Sequence, residues 1–65
     1  MIIYVNGEAV SYNGTNLQTL LNQLEYKGDW LATAVNGQLV RAEERSNQLL
    51  NHGDKIEVLS PMQGG

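Results

Sequence analysis

Two glycines, Gly64 and Gly65, stand at the end of the chain behind the segment Ser60-Pro61-Met62-Gln63. No fold requires them there, and at a glycine frequency of about 7% two in a row at a terminus arise by chance in roughly 0.5% of chains. What such a terminus offers is a reachable carboxylate. With a usual pKa of roughly 3.5, the Gly65 α-carboxylate is ionised at neutral pH and nearly inert to nucleophiles. Joining it to AMP creates an acyl adenylate, whose leaving group a sulfur nucleophile can displace. Lacking side chains, Gly64 and Gly65 can thread a narrow channel that a bulkier pair would block, while Met62 and Gln63 lengthen the reach. Residues 61–65 are therefore expected to form a flexible tail behind a domain spanning 1–60, with Gly65 the modified residue.

The remaining side chains offer little competing chemistry. There is no cysteine, which removes disulfides, thiolate metal sites and a cysteine nucleophile together, so any sulfur handled must come from elsewhere. His52 stands alone beside a Gly-Asp turn and reads as a loop residue, and Asp54 reads as a turn former. Glu43 and Glu44 lie in a charged, solvated stretch with no partner cluster to suggest a metal. Trp30 reads as a lid on the core. No residue is expected to be catalytic.

A net charge of −3 and four scattered basic residues, Lys27, Arg41, Arg45 and Lys55, do not make a phosphate-tracking surface, so nucleic acid is not an expected ligand. A protein partner with a basic docking surface fits better. The apolar run at residues 1–5 has no basic flank and is too short for a signal or a membrane span, so no membrane association is expected and the cytoplasm is the expected location.

The elements that must position the tail follow from turn signals and periodicity. With 42% hydrophobic and 17% charged residues in a chain of 65, one globular domain is expected, burying only about 60% of its unfolded surface. Residues 1–6 and 8–12 form a hairpin around Asn6-Gly7. Asn13-Gly14 ends it, and Thr15 with Gln18 fits a capping box opening a helix. Leu17, Leu20, Leu21 and Leu24 fall on one stripe of that helix, and Gly28 is placed to stop it. A strand at 31–35 turns at Asn36-Gly37 into 38–40. The polar stretch 41–47 leaves the sheet, Leu49 and Leu50 tuck under the core, and 55–59 alternates as a half-buried strand before Pro61. The order implies an α+β fold, one helix packed across one face of a mixed sheet of four to five strands.

With Ile3, Val5, Ile56 and Val58 facing the helix, the period of two turns Ile2, Tyr4, Glu57 and Leu59 outward. No second helix covers them, so this patch is the expected docking surface.

Three segments, Ile2-Ile3-Tyr4-Val5-Asn6-Gly7, Ala34-Val35-Asn36-Gly37-Gln38-Leu39-Val40 and Gly53-Asp54-Lys55-Ile56-Glu57-Val58-Leu59, precede the terminal Gly64-Gly65. In order and spacing they resemble the ThiS family of sulfur carriers and, more distantly, MoaD and ubiquitin, over nearly the whole chain. Where the family often has Pro-Arg after the valine matching Val40, Arg41-Ala42 stands here. The resemblance implies a ubiquitin-like β-grasp in which the first and last strands pair in parallel. It further implies that a ThiF-like adenylating enzyme consumes ATP to activate Gly65, that a persulfide donor supplies sulfur, and that a ThiG-like thiazole synthase accepts it from a C-terminal thiocarboxylate on the route to thiamin. The protein would bind no cofactor and would be a carrier rather than an enzyme. Alternatives are a MoaD-like subunit of a molybdopterin-forming enzyme, which tends to be longer, a ubiquitin-like modifier of lysines, and a binding module with an inert tail.

Overall fold

The computed structural model describes residues 1–27 and 30–60. Strands β1 (Ile2–Val5) and β2 (Glu8–Ser11) form the opening hairpin, α1 (Leu17–Gln23) follows, and β3 (Ala32–Val35), β4 (Gln38–Val40), a 3₁₀ helix (Ala42–Asn47) and β5 (Lys55–Leu59) complete the order. The five strands make one sheet in the order β2-β1-β5-β3-β4. β5 runs parallel to β1 and antiparallel to β3, so this strand joins two antiparallel hairpins. Both hairpins turn as the Asn-Gly signals imply, with Asn6 and Gly7 at φ 50° and 87° and Asn36 and Gly37 at 51° and 85°, the left-handed geometry that suits the right-handed twist of the strands.

The core is built as the two periodicities dictate. Ile3, Val5, Ile56 and Val58 point from the sheet onto Leu17, Leu20 and Leu21 of α1, and Tyr12, Leu31, Val35, Val40 and Leu50 close its margins. Leu24, the fourth leucine of the stripe, is half-buried at the helix end.

Both helix boundaries differ from expectation, the first for a nonlocal reason and the second for a local one. Asn16, not Thr15, is the N-cap, and its side chain accepts a hydrogen bond from the Thr19 amide at 2.9 Å. The Thr15 carbonyl instead accepts from the Leu50 amide, and Asn16 bridges Leu49, which holds residue 16 extended at φ −132°. Gln18, freed from the expected capping box, reaches Asn22. At the other end Glu25 takes the left-handed position at φ 65°. Amides of Glu25 and Tyr26 then bond the carbonyls of Asn22 and Leu21, a complete Schellman stop without glycine. Gly28, expected to stop the helix, lies outside the described residues.

Trp30 is no core lid: it is 63% exposed. The alternation of β3 extends backward, so Leu31 takes the inward place and Trp30 faces away. Tyr12 does the expected covering, buried with its hydroxyl bonded to the Asn16 carbonyl and to Thr19. Of the leucine pair, Leu50 tucks under the core while Leu49 is exposed.

Candidate functional site

Ile2 and Tyr4 of β1 and Glu57 and Leu59 of β5 all face away from the helix, as the alternation predicts. The register brings further residues to this face. Leu59 lies opposite Ala32, Glu57 opposite Ala34, and Ala34 in turn opposite Leu39. Because β3 contributes only alanines outward, the sheet surface dips between Leu39, 72% exposed, and Leu59, 69% exposed, forming a shallow concavity of about 210 Å³ that Asn6 and Glu57 also line. Leu39 is a member that sequence reasoning passed over. Once Val40 is taken as inward, the same period of two places Leu39 outward.

The tail that this face would present lies outside the described residues: Met62, Gln63, Gly64 and Gly65 have no described position. What is described is its origin. β5 occupies the middle of the sheet, its last residue Leu59 belongs to the concavity, and Ser60 follows directly.

Two asparagines brace this strand, and neither role was legible from the sequence. The Asn6 carboxamide accepts from the Val58 amide at 2.9 Å and donates to the Val58 carbonyl at 3.1 Å, completing the ladder where β1 has already turned away. Asn36, in the opposite turn, accepts from the Lys55 amide at 2.9 Å and donates to Asp54 Oδ1 at 3.0 Å. Thus β5 is held near its start by one Asn-Gly turn and near its end by the other. Replacing Asn6 by aspartate (Asn6→Asp) keeps the acceptor but sets a carboxylate against the Val58 carbonyl. The expected loss is about 1–3 kcal/mol, or a melting temperature lower by about 4–8 °C per kcal/mol in a domain of this size. An unchanged melting curve would refute the brace.

The other polar residues act structurally. His52 Nδ1 accepts from the Ile2 amide at 3.0 Å, tying the 51–54 turn to β1, and Asp54 Oδ2 accepts from the Asn51 amide at 2.8 Å within that turn. Glu43 and Glu44 are exposed in the first turn of the 3₁₀ helix. Among the described residues no group of three or more His, Cys, Asp or Glu side chains gathers to hold a metal, and no helix is long and apolar enough to cross a membrane.

A single helix across one face of a five-stranded mixed sheet, with parallel terminal strands and an open apolar outer face, defines a ubiquitin-like domain of the β-grasp class. The model of the ThiS family matches residues 3–65, and the chain belongs to that family. Among solved structures it is similar to the crystal structure of the thiamine biosynthesis protein ThiS from Geobacter metallireducens, at 28% identity and a TM-score of 0.82, with 100% of both chains covered. An NMR solution structure of a thiamine biosynthesis protein from the same organism gives 28% identity and a TM-score of 0.80, covering 100% of this chain and 88% of the other. No curated protein matches the chain.

Proposed function

We propose that this protein is a sulfur carrier for the thiazole moiety of thiamin, acting through the carboxylate of Gly65. The observation that carries the reading is the family match, which runs through the terminal Gly64-Gly65 rather than stopping at the folded domain. In the proposed cycle a ThiF-like enzyme joins the Gly65 carboxylate to AMP at the expense of ATP, and the terminal sulfur of a persulfide donor displaces AMP to form an acyl disulfide. A thiol reductant cleaves its S–S bond, and the thiocarboxylate so released delivers sulfur to a ThiG-like thiazole synthase. The carrier supplies no catalytic side chain. Its contribution is a reactive terminus and a surface by which partners recognise it, and the cytoplasm is the proposed setting.

Incubating the protein with a candidate adenylating enzyme, ATP and a sulfide source should raise the intact mass by about 16 daltons, the exchange of one oxygen for sulfur. No gain would overturn the reading, and appearance of conjugates to lysines would replace it with that of a modifier. A MoaD-like role gives the same gain and is separated from this one by whether thiazole synthase accepts the sulfur.

In this reading the outer sheet face is the docking surface, with Ile2, Tyr4, Glu57 and Leu59 at its centre and Leu39 on its rim. Tyr4 and Leu59 are 40% and 69% exposed, so truncating them removes little core packing. Tyr4→Ala and Leu59→Ala are each expected to weaken binding to the adenylating enzyme by about 1–2 kcal/mol, roughly five- to thirtyfold, as truncation of apolar anchors at interface centres does. Titration calorimetry checks this, with melting curves as the control; unchanged affinity for both variants would remove the patch from the interface.

A further inference from the structure

The chain contains three Asn-Gly steps, at 6–7, 13–14 and 36–37, and the structure treats them differently. Such a step carries intrinsic chemistry. The main-chain nitrogen of glycine, unshielded by a neighbouring Cβ, gives up its proton to water and attacks the asparagine Cγ. A C–N bond forms, the Cγ–Nδ2 bond breaks, and the side-chain nitrogen leaves as ammonia, closing a cyclic imide. Water then opens either C–N bond of the ring, leaving an aspartate or an isoaspartyl linkage. No electrons are gained or lost. The reaction requires the carboxamide to swing free of its partners and the backbone to leave its turn.

Asn6 and Asn36 are held against both movements. Each carboxamide makes two hydrogen bonds, to Val58 and to Lys55 and Asp54. Each turn is closed by the flanking pairs Val5↔Glu8 and Val35↔Gln38. Asn13 differs on every count. It is exposed, it follows β2 outside any ladder, and among the described residues its side chain makes no hydrogen bond. Nor can the glycine beside it readily be exchanged, because a Cβ at position 14 would run into the ring and hydroxyl of the buried Tyr12.

We propose that Asn13 is a site of spontaneous modification in the folded protein, converting to aspartate and isoaspartate, and that the fold protects the other two Asn-Gly steps. The change would take the net charge from −3 to −4, one carboxylate being added, and its isoaspartyl form would lengthen the main chain beneath Tyr12, whose hydroxyl is anchored to Asn16 and Thr19 at the start of α1. Chemical ageing therefore falls on the loop before the helix and spares the asparagines that brace β5. The inference does not depend on the carrier function.

The test incubates the full-length protein in mildly alkaline buffer, folded and in concentrated guanidinium chloride, and follows each Asn-Gly peptide by mass spectrometry for the gain of about one dalton that replacement of an amide by an acid brings. In denaturant all three sites should react at similar rates. In the folded protein Asn13 should react within about threefold of its denatured rate, as an exposed loop allows. Asn6 and Asn36 should be slowed at least about tenfold by the hydrogen bonds that must open. An Asn13→Gln variant with an unchanged melting curve should release almost no ammonia when folded. Equal slowing at all three sites, or ammonia release that survives in that variant, would overturn the proposal.

Discussion

Removing Gly65 should abolish adenylation by the partner enzyme and leave the melting curve of the carrier where it was. The new terminal carboxylate falls about 3.5 Å short of its place, the span of one extended residue. Misplacing a reacting group by about 1 Å can already cost on the order of a hundredfold, so a loss of about a thousandfold or more is expected. The buried residues of the described core run from Ile3 to Val58, and a terminal glycine has no side chain to add to them, so stability is not expected to respond. Gly64→Val keeps the carboxylate at the correct distance but adds a branched side chain to the segment that must enter the active site, and its defect should be milder. Both variants should still bind, since the sheet face is untouched. ATP–pyrophosphate exchange measures the first effect and melting curves on the same samples the second. Normal exchange by the chain lacking Gly65 would end the carrier proposal.

The largest effect on the fold itself is expected at Arg45. Only 3% exposed, it lies within the 3₁₀ helix and sends Nε to Thr33 Oγ1 at 3.2 Å and a terminal guanidinium nitrogen to the Leu31 carbonyl. Thr33 is itself buried and donates to the Val40 carbonyl at 2.7 Å. This chain of bonds fastens the connection after β4 to β3. Arg45→Ala removes two charge-assisted bonds and strands a buried carbonyl, for which about 3 kcal/mol is a fair expectation. In a 65-residue domain that is a fall of about 12–24 °C in melting temperature. Arg45→Lys keeps the charge but not the planar fork and should fall between. Combining Arg45→Ala with Thr33→Val should cost less than the sum of the two, because they share a bond. Strict additivity would show that the network is not one unit.

Arg45 also marks the limit of what could be read from the sequence. The leucine stripe of α1 and the alternation in β1 and β5 were legible because each depends only on residues a few positions apart, and the three Asn-Gly and Gly-Asp turns were legible for the same reason. Parallel pairing of β1 with β5 came from family resemblance. What escaped depends on partners far along the chain. A residue in the run Arg41-Ala42-Glu43-Glu44-Arg45 gives no sign that one arginine alone is buried, since its acceptors lie 12 and 14 residues upstream. The Asn6 carboxamide looks like turn chemistry until Val58, 52 residues away, is placed beside it. Likewise the helix start moved from Thr15 to Asn16 because residues 49 and 50 hold the preceding backbone extended. At the candidate site the outward set Ile2, Tyr4, Glu57 and Leu59 followed from period alone, whereas the dip between Leu39 and Leu59 needed the β3 register.

The central place of β5 bears on how the chain matures during synthesis. A polypeptide emerges from the ribosome amino end first, at about 5–20 residues per second. Every ladder joining the β1–β2 hairpin to the β3–β4 hairpin passes through β5, and two-stranded hairpins are marginal by themselves. A nascent chain that stops before Lys55 therefore has two hairpins with no strand between them, and its buried surface is incomplete. Folding competence therefore arrives only with the last strand, Lys55–Leu59, within seconds of the hairpins it joins at that rate of elongation. Abortive fragments would thus be cleared by proteases as unfolded chains, rather than persisting as folded domains that lack the central strand.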